Sequence, residues 1–418
     1  MGLSSALYTA ISGLQTNSQA MTVTGNNIAN SNTVGFKTSS TIFSDLLSAN
    51  IASSAGNSQV GRGSQVQTVQ TNFSQGGYES TDNATDLAIE GSGFFIVSDP
   101  LGTTDYYTRN GNFSFDDSGY LVTADGFRVQ GSVYTGSGVL ASGSLNDIRV
   151  DLTSQLNAKQ TENVSLHTNL DSDAGVLAGF DITAPEDTSN YTATTTVYDS
   201  LGTSHLLTCY FAKTGDQAWD WYLTVDGGEL NGGTAGVTQQ IGTGSLTFDE
   251  NGNLLTGETA AIGSITWANG SAAQSIDYTF DTTQFNSDST VFSQDQDGYA
   301  SGKVTDVAIA ADGTVNAVYS NGETIPVAVI SLATFINADG LHAVGGSLYS
   351  ATSASGIATI GYPGVSQGTL ITQALELSNV DLATEFVDLI TIQNGYTANS
   401  RVITTTDEML QELLNLKR

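Results

Sequence analysis

Three histidines, one cysteine and a few glycine-bounded serines and aspartates are the residues with which this 418-residue chain could do chemistry. His167, His205 and His342 lie far apart and show neither HxxxH nor HxH spacing, so a zinc centre would need ligands gathered from unrelated segments. Cys209 stands alone, which excludes an intramolecular disulfide, a CxxC redox centre and a Cys-rich zinc site. Its neighbours Leu206, Leu207, Tyr210 and Phe211 predict a strand in which it packs as a small hydrophobe. Gly364-Val365-Ser366-Gln367-Gly368 matches the GxSxG nucleophile pattern, but no histidine follows Ser366 and Pro363 marks the segment as a turn. Gly91-Ser92-Gly93 runs into the apolar strand Phe94-Phe95-Ile96-Val97, where a dinucleotide fingerprint needs the start of a helix. Asp295-Gln296-Asp297-Gly298 resembles the opening of a calcium loop, but its glycine comes too early and Asp-Gly is also a hairpin turn. No catalytic residue, metal or cofactor is expected, and the chain does not read as an enzyme.

With chemistry set aside, the apolar spacing carries the argument. Leu7, Leu14, Met21 and Ile28 recur at seven-residue intervals, with Leu3, Ala10 and Ile11 filling adjacent helical positions. The C-terminus repeats the pattern in Leu375, Leu382, Leu389, Tyr396, Ile403 and Leu410, widened by Phe386, Ile392, Leu413 and Leu414. That segment holds no proline, has Gly395 as its only interior glycine, and closes on Lys417-Arg418, which suits the negative end of a helix dipole. Between the ends, short β-rich runs alternate with turns such as Asp116-Asp117-Ser118-Gly119 and Ser320-Asn321-Gly322. The spacing therefore predicts a mainly β chain with helical termini. Small β domains cannot cover two such stripes, so the ends are expected to pair as a coiled coil, the architecture of a filament subunit. The expected division is 1–47 with 371–418 as a helical polymerisation domain and 48–78 as an extended connector. Residues 79–145 with 286–370 would form an inner β domain and 146–285 an outer one inserted in it, both antiparallel sandwiches or barrels stacked outward.

Composition narrows the partners. Eleven basic residues against 42 acidic ones give a formal charge of −31, which cannot neutralise phosphates, so nucleic acid and anionic membrane surfaces are excluded as partners. Hydrophobic residues at 39%, with 16 Tyr and 16 Phe, exclude a disordered chain. No run of 18 apolar residues predicts a membrane span. The N-terminus lacks the basic and apolar regions of a cleaved signal, and Ala6 breaks the myristoylation pattern. The charge is segregated: residues 1–48 carry only Lys37 and Asp45, and 371–418 carry seven acids and three bases, which leaves −27 in 49–370.

Several long motifs in order then resemble one family. Ser12-Gly13-Leu14 and the run Met21 to Lys37, containing Gly25, Asn26, Asn27, Asn30, Gly35 and Phe36, are similar to the N-terminal signature of the flagellar rod and hook axial proteins. Ser378-Asn379-Val380-Asp381-Leu382 and Tyr396-Thr397-Ala398-Asn399-Ser400-Arg401 resemble its C-terminal signature. Leu87 to Phe95 and Tyr107-Thr108-Arg109-Asn110-Gly111 look like the family's shared β domain, and Asp297 to Gly302 and Leu332 to Phe335 like its returning half. Val197-Tyr198-Asp199-Ser200-Leu201-Gly202-Thr203-Ser204-His205, within the long middle insert, resembles the outer domain of the hook members rather than the shorter distal rod members. One departure stands out: Gln393-Asn394-Gly395-Tyr396 replaces the family's Gln-Arg-x-Tyr, at a cost of about 1 kcal/mol in helix propensity.

The resemblance implies a helical homopolymer: a short curved tube, extracellular, acting as a flexible joint that passes torque from rod to filament. It implies rod, hook–filament junction and hook cap proteins as partners, and type III export without a cleaved signal. On this reading Leu7, Leu14, Met21, Ile28, Leu375, Leu382, Phe386, Leu389, Tyr396, Ile403 and Leu410 would form the inner tube, and the signature residues would set its geometry. A secreted adhesin or a hydrolase using Ser366 is the competing reading.

Overall fold

A computed structural model describes residues 2–47, 49–53, 56–135, 138–141, 145–365 and 367–416. The chain divides into two compact units, the second inserted in the sequence of the first. The first comprises Met1–Asp151, Val307–Ala317 and Ile325–Arg418, and the second Leu152–Asp306 and Val318–Thr324.

The first unit begins and ends in helices, α1 (Gly2–Ala29) and α2 (Leu382–Leu416), which pack against each other. Asp381 caps α2: its Oδ1 accepts the backbone N–H groups of Ala383 at 2.9 Å and Thr384 at 3.3 Å, donors that the first turn leaves without partners. At the same end of the pair, α1 gives way to a turn in which Asn30 Nδ2 returns to the carbonyl of Asn26 at 2.8 Å. Two expectations are corrected here. Residues 48–78, expected as an extended connector, carry paired strands: Ala49–Ser53 pairs antiparallel with Gly56–Val60, and Ser64–Thr71 with Ser39–Asp45, a strand inside the segment expected to be helical. The alternation of Ile, Phe and Val with Ser, Thr and Gln in these runs is the strand period, which composition alone concealed. The C-terminal helix also starts seven residues later than the heptad column, because Leu375 lies in the strand Ala374–Glu376, paired with Tyr78–Ser80.

The β part of the first unit is built on Phe94–Ser98, a fully buried strand that pairs antiparallel with Asp105–Thr108, Arg128–Val133 and Leu332–Thr334. Phe94, Ile96, Tyr107, Ala333 and Tyr349 form its core with Phe73 and Phe335 against them, ring to ring in edge-on contacts of 4.7–6.2 Å. Leu87–Glu90 pairs antiparallel with Thr369–Thr372, which brings the two arms of the chain together between the helices and this β part.

The second unit has two sheets. Tyr191–Tyr198, Ser204–Gly215, Ala218–Asp226, Thr238–Phe248 and Leu254–Thr256 form a meander, and Thr259–Ile265, Gln274–Phe285, Asn163–Asp171 and Thr290–Gln296 a four-stranded sheet in that order. Buried residues of both sheets share one core around Phe211, Trp219, Trp221 and Phe280. Cys209 is buried within it, and desolvation pushes its thiol pKa far up, so it packs as the hydrophobe expected. One strand pair departs from the all-antiparallel reading, since Asn163–Asp171 runs parallel to Gln274–Phe285. The meander is the long connection that makes this pairing possible. The unit's limits also differ from 146–285: Asn146–Asp147 pairs within the first unit, and Thr290–Gln296 within the second. A strand's allegiance depends on its distant partner, which local turn signals do not report.

Candidate functional site

Small and polar side chains set the closest approach of α1 and α2. Ala10, Gly13, Thr16, Ala20, Thr24 and Asn27 are the buried residues of α1, and Thr406 is buried on α2. The helices run antiparallel through a reciprocal contact. Asn17 Nδ2 donates to the Gly13 carbonyl at 2.7 Å, and Asn399 Nδ2 to the Gly395 carbonyl at 3.0 Å, each four residues back on its own helix. Each asparagine then fills the space above the other helix's glycine. A Cβ on Gly13 would stand 2.7 Å from the Asn399 amide, and one on Gly395 would stand 3.0 Å from Asn17 Oδ1. Gly395, at the unspecified position of the family pattern, is thus the close-approach point of the pair, while Asn394, where the pattern has Arg, is exposed. Further along, Asn27 Nδ2 donates to Glu385 Oε1 at 2.9 Å and to the Ser39 carbonyl at 2.8 Å, joining both helices to the ribbon strand. Burial raises the Glu385 pKa, opposed by the Asn27 hydrogen bond and assisted by Asp388.

The heptad columns divide between the α1–α2 pair and its outside: Leu389 and Ile403 share the less exposed face of α2 with Gly395, Asn399 and Thr406. Leu7, Leu14, Met21 and Ile28 are half-buried, as are Leu389 and Ile403. Leu382, Phe386, Tyr396 and Leu410 are exposed by 43, 51, 41 and 39%, with Ile390, Met409 and Leu413 also exposed on the same helix. A period of seven shows that a helical face must be covered, not which chain covers it; glycine and alanine permit the closer approach and take the intrachain contact.

At the base of the helices a buried charge cluster holds four segments together. Glu376 Oε1 accepts from Lys37 Nζ at 2.6 Å and from the Gly76 N–H at 3.0 Å, and Glu376 Oε2 lies 3.3 Å from Arg109 Nη1. Lys37 Nζ also donates to the Ser74 carbonyl at 2.7 Å, and Arg109 Nη2 to that of Gly91 at 2.8 Å. Lys37 and Glu376 side chains are fully buried. Desolvation lowers the pKa of both Lys37 and Arg109, with Glu376 acting against it. Asn379 extends the cluster, accepting from the Thr38 N–H at 2.8 Å and donating to the Asn72 carbonyl at 2.9 Å. Gly35 has a φ of +67°, and a Cβ there would meet the Asn110 backbone nitrogen at 2.6 Å, so this turn admits only glycine.

The other signature positions sort by contact. Asn26 and Asn30 close the end of α1, the Phe36 carbonyl accepts from Asn379 N, Ser378 Oγ accepts from Val380 N at 3.3 Å, and Arg401 is exposed on α2. A Cβ at Gly25 would meet nothing, and no contact accounts for glycine there. Sequence reasoning missed Glu376 and Arg109 as a pair, because nothing local marks residues 267 positions apart as partners.

Among the described residues no group of His, Cys, Asp and Glu is arranged to hold a metal. His167 lies 3.8 Å from Asp281, and His342 is exposed. His205 is buried, stacked 3.6 Å from the Trp267 ring, with Nδ1 2.8 Å from Glu229 and Nε2 3.2 Å from Asp199. Asp297, from the calcium-like tetrapeptide, accepts the N–H groups of Glu162 and Asn163 and pairs with Lys159 at 3.2 Å, a structural tie within its own unit. Ser366 lies outside the described residues; its neighbour Gly364 has a φ of +76°, as a turn requires.

Helices paired on a small-residue seam at the two ends of the chain, apolar side chains left outward and β units between define the class of axial proteins of the bacterial flagellum. Four family models match in chain order: flagella basal body rod protein over 7–37, flagellar hook protein FlgE/F/G D1 domain over 88–196, flagellar basal body protein FlaE D2 domain over 169–299, and flagellar basal body rod FlgEFG protein C-terminal over 371–416. The chain is 34% identical to the flagellar hook protein FlgE of Escherichia coli K12, covering 99% of this chain and 100% of that one. It is 35% identical to the hook protein of Salmonella typhimurium (98% and 99% covered) and 33% identical to that of Treponema pallidum (99% of each). The crystal structure of the Helicobacter pylori flagellar hook protein FlgE2 shares the fold, with a TM-score of 0.53 over 71% of this chain and all of that one at 16% identity. The chain belongs to the flagellar hook protein family and is a structural subunit of the hook.

Proposed function

We propose that copies of this chain polymerise through α1 and α2 into a short, curved, flexible tube that acts as a universal joint, passing torque from rod to filament. The observation that carries the reading is the apolar face of α2, exposed at Leu382, Phe386, Tyr396 and Leu410. A helix so apolar on an outward face is stabilised when another surface covers it. Head-to-tail contact between copies, where rotation does not close a ring, gives an open helical polymer. In this reading 1–47 and 371–418 form the polymerisation domain, Leu7, Leu14, Met21, Ile28, Leu389 and Ile403 complete its apolar packing, and Leu375 belongs to the β base. The signature residues and the Lys37–Glu376–Arg109 cluster fix the helices to that base. The subunit acts by assembly and not by catalysis. Its other partners are rod and junction proteins, the hook cap and the type III export apparatus, and it leaves the cell without a cleaved signal.

Electron microscopy of the purified chain is the test, with Phe386→Asp and Tyr396→Asp combined in one variant. The expected outcome is short curved tubes from the natural sequence and none from the variant, with the circular dichroism of the β units unchanged. Ordinary tubes from the variant would remove α2 from the assembly mechanism.

A further inference from the structure

We propose that residues 402–406 are a flexure built into α2, about which the apolar end of the helix, 407–415, pivots. Val402-Ile403-Thr404-Thr405-Thr406 is a run of five β-branched residues, and no other such run in either helix exceeds three. Each of these side chains loses rotamer freedom against the preceding turn, so a helix is weakest where they cluster. The three threonines also turn their hydroxyls back along the helix. Thr404 Oγ1 donates to the Ser400 carbonyl at 3.2 Å, Thr405 Oγ1 to that of Arg401 at 2.9 Å, and Thr406 Oγ1 to that of Val402 at 2.7 Å. Thr391 and Thr397 make the same bond to Val387 and Gln393, but singly. Three adjacent carbonyls thus each have a side-chain donor besides the backbone one. Such back-bonding bends helices, and it keeps a carbonyl partnered when its backbone bond lengthens.

The weak segment lies where burial along α2 stops. Thr406, 5% exposed, is the last buried residue of the helix, and every residue of 407–415 is exposed. That end consists mostly of good helix formers, Asp407-Glu408-Met409-Leu410-Gln411-Glu412-Leu413-Leu414, so it moves as a helical piece. It carries Met409, Leu410, Leu413 and Leu414, exposed by 53, 39, 51 and 67%. A stiff helix would lock the angle between this apolar end and the rest of the subunit. A flexure at 402–406 lets the end keep its contact with a neighbouring copy while the body of the subunit tilts. The flexure is a property of the single chain, and its use in a bending tube rests on the assembly reading above.

The test uses the full chain and begins with hydrogen exchange of the monomer, read by mass spectrometry along α2. Thr404→Ala with Thr405→Ala, at two exposed positions, removes two back-bonds and two β-branched side chains. Amides of 403–410 should then exchange more slowly by about fivefold or more, the scale of two such replacements by alanine. Thr391→Ala with Thr397→Ala, the same chemistry outside the run, should leave 403–410 within about twofold of the natural chain. In electron micrographs, tubes of the 404/405 variant should show a narrower spread of bend angles than natural tubes, and those of the 391/397 variant the natural spread. Unchanged exchange in the 404/405 variant overturns the proposal, as does equal slowing at 403–410 in the control. Slower exchange with the natural spread of bend angles also overturns it, because the segment would then have no part in the bending. Absence of tubes from the natural chain overturns instead the assembly reading, while the exchange result still decides whether α2 holds a flexure.

Discussion

At the scale of single residues, burial decides what a charge does. Glu376 neutralises two cations in a site where neither Lys37 nor the carboxylate reaches water. Glu376→Gln leaves both cations without their counter-charge, and the expected loss is about 3–5 kcal/mol of unfolding free energy, read by denaturant titration. A loss below about 1 kcal/mol would mean that the cluster is incidental to the base. Two carboxylates of the second unit give a pH prediction. Burial alone would raise the pKa of Asp199, but donors from Asn269, the Thr203 and Leu201 backbone and His205 hold it at about 2. Asp297, likewise opposed by burial, is held at about 2 by the Asn163 and Glu162 backbone, the Asn163 side chain and Lys159. Both lie below the ordinary value of 3.8, so each stabilises the folded unit fully above about pH 4 and loses that contribution as pH falls through 2. The scale is on the order of 2 kcal/mol each. All three tryptophans, Trp219, Trp221 and Trp267, lie in this unit, so their fluorescence reports its melting alone. Melting should be level from pH 7 to 4 and fall steeply below, with a shallower fall in Asp199→Asn; an equal fall in that variant would put the linkage elsewhere.

At the scale of elements, the helix pair shows why an apolar period and an interface differ. The seven-residue columns were legible in the sequence, as were the helices, the turns and the β character between them. The seam was not, because Gly13, Asn17, Gly395 and Asn399 acquire meaning only when the two helices are set antiparallel. A double-mutant cycle tests the reciprocal contact. Gly13→Ala should destabilise the pair by about 1–3 kcal/mol, since its Cβ would overlap the Asn399 amide. Adding Asn399→Ala should recover at least about 0.5 kcal/mol, measured as hydrogen-exchange protection of α1. Additive effects would show that the two residues do not share a contact. The connector expected at 48–78 teaches a similar lesson: its composition reads as extended chain, while Ser64–Thr71 within it pairs as a strand with Ser39–Asp45.

At the scale of the whole molecule, charge governs association. The net −31 divides into −4 on 1–48 with 371–418 and −27 on 49–370, so in the proposed polymer the helical ends would meet their copies with little repulsion while the remainder repels. Polymer stability should therefore rise with ionic strength as the Debye length shortens from about 30 Å at 0.01 M to about 10 Å at 0.1 M. Sedimentation of preformed tubes across that range is the measurement, and equal stability at both ends would mean that the segregation of charge has no part in assembly.

The sequence by itself determined the class of elements, the family and the placing of charge away from the chain's ends. These follow from residue type, spacing and order, which are properties of the chain before it folds. Tertiary structure decided which helical face is used within the chain, that Leu375 serves a strand, that 290–296 belongs to the second unit, and that Lys37, Arg109 and Glu376 share one buried site. Each of those depends on which distant segments meet, and the free energy of a buried charge, a strand pair or a glycine contact exists only once they have met.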